Sequence, residues 1–110
     1  MIRTLIVAAV LAVSLTGVAQ AQPSYGPQLE GFAYPHPIKR FALTSQGQSL
    51  SMAYMDITPT GAPNGRTAVL MHGKNFCGAT WETTIAVLAK AGWRVIVPDQ
   101  IGFCASTKPA

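Results

Sequence analysis

Two stretches of the chain decide its fold: residues 67–75, TAVLMHGKN, and residues 91–109, AGWRVIVPDQIGFCASTKP. The first begins with an apolar run at 67–71, and the second contains another at 95–97. Uninterrupted apolar runs are typical of parallel strands that are covered on both faces. The segment at 81–91 between them has helical periodicity. Strand, helix and strand in this order predict a βαβ unit, whose crossover we expect to be right-handed.

The predicted helix has one apolar stripe, at i, i+4, i+7 and i+8: Trp81, Ile85, Leu88 and Ala89. Thr80 is the expected N-cap, and Glu82 is favourable in the first turn because it opposes the helix dipole. Gly92 can end the helix in a left-handed conformation.

An antiparallel hairpin is predicted before this unit, with strands at 38–43 and 50–56 joined by a turn at Gln46–Gln48. In its second strand Leu50, Met52 and Tyr54 alternate with smaller residues, which indicates one apolar face. Residues 58–66 are rich in Pro and Gly and are expected to form a surface loop. The predicted fold class is therefore α/β, with a sheet of about four strands.

The first 21 residues have the pattern of a secretory signal peptide. Arg3 lies in a short positive start, residues 5–15 are apolar apart from Ser14, and Ala19-Gln20-Ala21 matches a cleavage site. Cleavage after Ala21 predicts a periplasmic or secreted protein of 89 residues with no stable membrane span. The alternative is an uncleaved membrane anchor, although the apolar run is shorter than the roughly 20 residues of a typical span.

Residues 22–37 are predicted to be an extended arm, because four prolines deny them a regular helix: Pro23, Pro27, Pro35 and Pro37. Residues 38–110 would then form the folded domain. The net charge of +4 falls to +3 once Arg3 is removed. No basic stripe alternates with aromatic residues, so we expect no nucleic-acid partner. No cysteine or histidine spacing fits a metal site, and no cofactor is expected.

Residues that could carry chemistry follow each apolar run directly. His72, Gly73, Lys74 and Asn75 come after the first, at the end of a strand where open α/β sheets bind ligands. Gly73 lets the backbone approach a ligand closely, so N–H groups there could face a developing negative oxygen. The second run leads into residues 98–109, PDQIGFCASTKP.

Together these motifs resemble the N-terminal part of the α/β-hydrolase family, in its epoxide hydrolase, haloalkane dehalogenase and prolyl iminopeptidase branch. The similarity lies in an apolar strand, H-G-x, a helix containing Trp, and A-G-W-R-V-I-V-P-D followed by G-x-x-x-S-x-x-P, and covers residues 38–109. The resemblance implies that the full-length protein acts on a small-molecule ester, epoxide or amide.

The resemblance also implies site roles. The backbone N–H of Lys74 would contribute to an oxyanion hole, and four residues would line the substrate site: His72, Gly73, Asn75 and Trp81. Dehalogenase-like relatives have Asn directly after H-G to bind halide, and Lys74 in that place argues against a dehalogenase. The following loop would be shaped by Asp99, Gly102 and Ser106, while Cys104 stands where the family often has Gly.

Simpler roles compete with these. His72 is expected to be a hydrogen-bonded loop residue rather than a catalytic base. Trp81 is expected in the core or pocket wall, and Asp99 as a turn anchor. The resemblance makes neighbours of the two strands that precede Cys77 and Cys104, which allows a disulfide; two free thiols are the alternative.

A catalytic nucleophile is not recognisable. None of the four serines beyond residue 40 that could serve has the flanking glycines of a G-x-S-x-G elbow: Ser45, Ser49, Ser51 and Ser106. In the family the elbow, the acid and the catalytic His come later in the chain. The chain alone is therefore predicted to be inactive, as a portion of an exported hydrolase; a non-catalytic remnant or small binding module is the alternative. Its strand at 67–71 would be an exposed apolar edge prone to aggregation.

Overall fold

A computed structural model describes residues 17–110, and its elements follow the order predicted from the sequence. The strands are β1 (Ile38–Ser45), β2 (Gln48–Ile57), β3 (Thr67–Val69) and β4 (Arg94–Pro98); a 3₁₀ turn (Gly78–Trp81) leads into the helix α1 (Glu82–Lys90). The charged start and the apolar run of the predicted signal peptide lie outside the described residues.

The four strands form one mixed sheet in the order β1-β2-β4-β3. β1 pairs antiparallel with β2, β2 antiparallel with β4, and β3 parallel with β4. The predicted hairpin and the predicted strand-helix-strand unit are both confirmed. Because β3 and β4 are parallel neighbours, their carboxyl ends lie at the same edge of the sheet.

The hairpin between β1 and β2 closes through a two-residue turn. Ser45 pairs with Gln48, and the residues between them, Gln46 and Gly47, have φ angles of 49° and 73°. Two positive φ angles in succession define the turn geometry that matches the twist of antiparallel strands. This turn sets the register that continues to Ile38 opposite Met55.

The hydrophobic core lies between the sheet and α1. Its buried members are Met55, Ile57, Ile85, Ala89, Val95 and Val97. The predicted apolar face of β2 is therefore wrong beyond Leu50: Met52 and Tyr54 are only half-buried, whereas Met55 is fully buried. The physical reason is that α1 covers the sheet face to which Met55 and Ile57 point, and this choice of face depends on where the helix packs.

Strand β3 lies at an edge of the sheet. Val69 and Met71 are 58% and 52% exposed, so the expectation of a strand buried on both faces is wrong for this chain. The expectation of an exposed apolar edge describes β3 correctly. Pairing extends one residue beyond the strand, because Leu70 N donates to Ile96 O over 2.9 Å.

Helix α1 begins later than expected. Thr80 lies within the 3₁₀ turn and donates its hydroxyl to Cys77 O, while Trp81 occupies the N-cap without a side-chain cap, so the prediction of Thr80 as the cap is wrong. The Thr80 hydroxyl is already bonded within the 3₁₀ turn, so it does not cap α1. The C-terminal prediction is confirmed: α1 is followed by Gly92 with φ of 92°. Ile85 and Ala89 are buried, and Trp81 and Leu88 pack beside them.

Residues 22–37 contain turns and bends but neither helix nor strand. Three rings of this arm contact one another edge to face, Tyr25 with Phe32 and Phe32 with Tyr34. Within residues 17–110, no helix is both long enough and apolar enough to span a membrane.

Candidate functional site

Two loops meet at the carboxyl ends of β3 and β4. We call them the β3 loop (residues 70–77) and the β4 loop (residues 99–107). Nearly all the residues singled out in the sequence lie in these loops, because neighbouring parallel strands deliver their following residues to the same edge. Trp81 lies just beyond the β3 loop.

The β3 loop contains a tight turn at residues 73–76, which we call the amide turn. Phe76 N donates to Gly73 O over 3.1 Å, and Asn75 has a φ of 67°. A positive φ at the third position, with none at Lys74, is the pattern of a type II turn. All four residues are exposed, and the Lys74 N–H has no acceptor within the described part of the chain. The turn therefore presents a backbone donor to solvent.

His72 is buried and uses both ring nitrogens. Its Nε2 accepts from Gln100 N over 2.9 Å, so its Nδ1 carries the proton that is donated to Gly73 O, also over 2.9 Å. The side-chain amide of Gln100 also donates, to His72 O over 2.6 Å. This arrangement makes His72 a structural link between the two loops. The partner Gln100 was not predicted, and nothing local in the sequence indicates it.

Asp99 is a buried carboxylate, 1% exposed, that accepts three hydrogen bonds. Oδ1 accepts from Gly78 N over 2.7 Å; Oδ2 accepts from Ala105 N over 3.0 Å and from the hydroxyl of Tyr34. It thereby joins the β4 loop, the start of the 3₁₀ turn and the N-terminal arm. Three donors satisfy the carboxylate without a cation.

Tyr34 is a second site residue that was not predicted. Its ring is half-buried; burial first, and then the hydrogen bond to Asp99, raise the pKa of its hydroxyl well above the ordinary range. The hydroxyl therefore stays protonated and remains a donor at neutral pH. A tyrosine in a proline-rich arm carries no sequence signal for this role, since its partner is 65 positions away.

Ser106 ties the β4 loop to the sheet. It is fully buried, donates its hydroxyl to Asp99 O over 2.6 Å and accepts from Ala53 N over 2.8 Å. Ala53 O in turn accepts from Asp99 N over 2.9 Å. The Ser106 hydroxyl thus accepts the hydrogen bond from β2 that the backbone carbonyl of a neighbouring strand would otherwise accept. Its proton is committed to a backbone acceptor, so it is not an available nucleophile.

The remaining β4-loop contacts also fix its path. Gly102 has a φ of 93°, and its N–H donates to Thr107 O over 2.8 Å. The Arg40 guanidinium donates to Ala105 O over 2.9 Å. Thr107 N donates to Ser51 O over 3.0 Å, which continues the contact with β2.

Cys77 and Cys104 are joined by a disulfide, with their α-carbons 5.8 Å apart. Cys104 has a φ of 47°, a left-handed conformation that glycine adopts most easily. Cys104 therefore adopts a backbone conformation typical of glycine although it has a side chain. The bridge spans 27 residues and, in the chain-entropy description, contributes about 3–4 kcal/mol.

A metal site does not fit this cluster, although Cys77, Asp99 and Cys104 hold three potential ligand atoms within 4.8 Å of one another. The two sulfur atoms are bonded to each other in a disulfide, whereas cysteine binds a metal as the thiolate. The Asp99 oxygens already accept three hydrogen bonds.

Trp81 packs against the core, and its buried Nε1 has no acceptor among residues 17–110. Its position fits a pocket wall or core residue. Three of the described serines lack the setting of an activated nucleophile, since Ser45 and Ser49 are exposed on the hairpin and Ser106 is committed as above.

Comparison with solved structures places the fold among the α/β-hydrolases. A probable hydrolytic enzyme from Pseudomonas aeruginosa PAO1 is 64% identical, with a TM-score of 0.76 over 80% of this chain and 28% of that one. The haloalkane dehalogenase DpaA from Paraglaciecola agarilytica NO2 is 30% identical, with a TM-score of 0.59 over 69% of this chain and 25% of that one.

Sequence relatives agree. A haloalkane dehalogenase of Mycobacterium marinum is 42% identical over 60 residues, which are 54% of this chain and 19% of that protein. An epoxide hydrolase A of Mycobacterium tuberculosis is 34% identical over 53 residues, 48% of this chain and 16% of that protein. No family model matches the chain.

Sequence and structure together define the class: the chain has a partial α/β-hydrolase fold. Its neighbours among known proteins are α/β-hydrolases, so the resemblance predicted from the two motifs is confirmed. The chain spans about a fifth of the length of the curated relatives it matches.

Proposed function

We propose that this chain is the N-terminal portion of an exported α/β-hydrolase that cleaves an ester, epoxide or amide, and that the 110 residues alone are inactive. The observation that carries the proposal is the amide turn, with its exposed Lys74 N–H at the carboxyl end of β3. A rigid donor in this place is suited to stabilising an oxygen that becomes negative during attack.

Inactivity of the chain alone follows from the same chemistry. An oxyanion donor lowers the barrier only when a nucleophile generates the charge. Among the described residues, the buried Ser106 donates to Asp99 O, and His72 uses both ring nitrogens within the loops. Neither can form a nucleophile and base pair without breaking the loop structure.

The substrate class is narrowed by Lys74. In the dehalogenase-like pattern an Asn directly after His-Gly binds halide, and here Asn75 stands one position later with a left-handed backbone. We therefore favour an ester, epoxide or amide substrate over a haloalkane. The relatives include an epoxide hydrolase and a haloalkane dehalogenase, so this choice requires a direct assay.

The first experiment is to determine the coding sequence downstream of Ala110, express the longest product and assay nitrophenyl ester and epoxide hydrolysis beside the 110-residue chain. We expect a G-x-S-x-G elbow or a close variant downstream and activity in the longer product only. Turnover by the 110-residue chain above the uncatalysed rate would contradict the proposal.

The second experiment isolates the Lys74 donor. Lys74 is the second residue of a type II turn, where proline is sterically favoured, so Lys74→Pro removes the N–H while preserving the turn. In the longer product we expect kcat to fall by about 10²–10³-fold with a small change in KM. Lys74→Ala, the matched control, retains the N–H and should retain kcat. Equal rates for both variants would show that this amide does not serve the reaction.

Export is supported by the cleavage pattern after Ala21 and by the Cys77–Cys104 disulfide, because disulfides persist in oxidising compartments. Fractionation of bacterial cells that express the chain should recover it in the periplasm or medium, with Gln22 as the first residue. Recovery in the cytoplasm with Met1 retained would oppose export.

A non-catalytic product is the second candidate. It is favoured by the way the disulfide, Asp99 and Ser106 hold both loops through contacts within the chain itself. Absence of any elbow in the downstream coding sequence, in each reading frame, would favour this candidate over the hydrolase.

A further inference from the structure

The amide turn is fastened to the β4 loop at both of its ends. Before the turn, His72 accepts two hydrogen bonds from Gln100. After the turn, Cys77 is bonded to Cys104, and Gly78 N donates to Asp99. Every one of these partners lies between residues 99 and 104, so the position of the turn is set by this short part of the β4 loop.

Little else restrains the turn. Residues 73–76 are all exposed, and the Phe76 ring is 57% exposed. The bonds that hold the turn differ in accessibility. The hydrogen-bonded residues His72, Gly78 and Asp99 are buried. The disulfide-bonded Cys77 and Cys104 are half-buried. The disulfide is thus the fastening that a soluble reagent can reach while the core remains folded.

Cys104 is held in a backbone conformation that its side chain disfavours. Its φ of 47° lies in the left-handed region, which residues with a β-carbon rarely adopt. The bond to Cys77 is one restraint on Cys104, beside the hydrogen bonds of Phe103 N and Ala105 N, and we expect the backbone to relax when that bond is broken. Relaxation would move the segment that anchors the turn.

We propose that the Cys77–Cys104 disulfide is a redox-sensitive latch that fixes the amide turn against the β4 loop and is opened by a dithiol reductant. One thiolate of the dithiol attacks a sulfur of the bridge, which breaks the S–S bond and forms a mixed disulfide. The second thiol of the reductant then displaces the remaining protein thiol. Cys77 and Cys104 gain two electrons and two protons, and the dithiol becomes a cyclic disulfide.

The role of the turn in binding an oxyanion rests on the proposed function, whereas the latch does not. After reduction the buried contacts of His72 and of Gly78 remain, so the ends of the turn stay near the sheet. Residues 73–77 and 102–104 gain freedom. The reduced chain therefore keeps its sheet and loses the fixed position of the turn.

The test is backbone amide hydrogen exchange on the whole chain, oxidised and after treatment with dithiothreitol. We expect exchange of the hydrogen-bonded amides of Phe76, Gly102 and Phe103 to accelerate about tenfold or more, and in the reduced chain these amides should have lower protection factors than those of β2 and β4. Unchanged exchange at the turn would overturn the latch. Equal protection factors for these loop amides and for the β2 and β4 amides of the reduced chain would overturn it too, because the chain would then open only as a whole.

A second measurement covers the case in which the reduced chain unfolds during exchange. The rate of thiol release by dithiothreitol is followed at increasing low concentrations of urea. A local latch predicts a rate that barely depends on urea, whereas a rate that rises in parallel with global unfolding contradicts it. A Cys77→Ser/Cys104→Ser chain, which carries no bridge, gives the background for both measurements.

Activity of the longer product separates the latch from the function of the turn. If reduction accelerates exchange only near the turn and also lowers kcat, both proposals are supported. Local exchange with unchanged kcat keeps the latch and counts against the Lys74 N–H as an oxyanion donor.

Discussion

The hydroxyl of Tyr34 donates a hydrogen bond to the carboxylate of Asp99, which lies 65 positions later in the chain. This bond ties the N-terminal arm to the loop after β4. The same carboxylate holds Gly78 and Ala105, so a single buried residue sets the relative positions of three segments. The arm is therefore part of the structure that supports the amide turn.

Replacing Tyr34 by Phe should destabilise the chain by about 1–3 kcal/mol, because a hydrogen bond to a charged acceptor is lost from a partly buried position. The measurement is urea denaturation followed by tryptophan fluorescence. Tyr25→Phe is the matched control: Tyr25 is 41% exposed, and its hydroxyl has no partner among residues 17–110. Equal losses for the two variants would mean that the Tyr34 hydroxyl contributes nothing specific.

Replacing Ser106 by Ala should cost about 1–3 kcal/mol, because the N–H of Ala53 and the carbonyl of Asp99 would both be left without their buried partner. Ser49→Ala, on the exposed side of β2, should change the free energy of unfolding by less than about 0.5 kcal/mol. Urea denaturation measures both. A Ser106→Ala chain as stable as the Ser49→Ala chain would contradict the role assigned to Ser106.

The exposed edge of β3 predicts self-association of the chain. Val69→Lys places a charge on this edge and should raise the monomer fraction in size-exclusion chromatography with light scattering. Val87→Lys is the control, because Val87 is 63% exposed on α1 and offers no strand edge. If Val87→Lys is equally effective, association depends on apolar surface in general. A wild-type chain that is monomeric at all concentrations would contradict the prediction outright.

The Asp56 carboxylate predicts a pH dependence of stability. Its hydrogen bonds to Arg94, over 3.0 and 2.7 Å, lower the pKa of Asp56, with a smaller contribution from Lys39. A pKa that is lower in the folded state stabilises the chain above the unfolded value and loses this effect as pH falls through the folded value. The melting temperature of wild type should thus exceed that of Asp56→Asn at neutral pH, with the gap shrinking below about pH 4.

Salt provides the control for this pair, since Arg94 is 54% exposed. Added sodium chloride should narrow the neutral-pH gap between the two chains by screening. A gap that stays constant from pH 7 to pH 2 would show that Asp56 stabilises the chain through packing alone.

The strands, the helix and their order could be predicted because each depends on local periodicity. The apolar runs at β3 and β4 and the stripe through Ile85 and Ala89 are visible within ten residues of sequence. Where a decision depended on a distant partner, prediction failed: the buried face of β2 is chosen by α1, and the start of α1 is set by the 3₁₀ turn that contains Thr80.

In the two loops, too, some features could be predicted from the sequence and others could not. Sequence alone determined that His72, Lys74 and Asp99 follow parallel strands, and hence that they lie at one edge of the sheet. Only the tertiary structure decided that Tyr34 donates to Asp99, that Gln100 pairs with His72, and that the α-carbons of Cys77 and Cys104 are close enough for a bond. The physical reason is range: periodicity and turn propensity act between near neighbours, whereas a buried hydrogen bond or disulfide depends on distances that exist only after the sheet has formed.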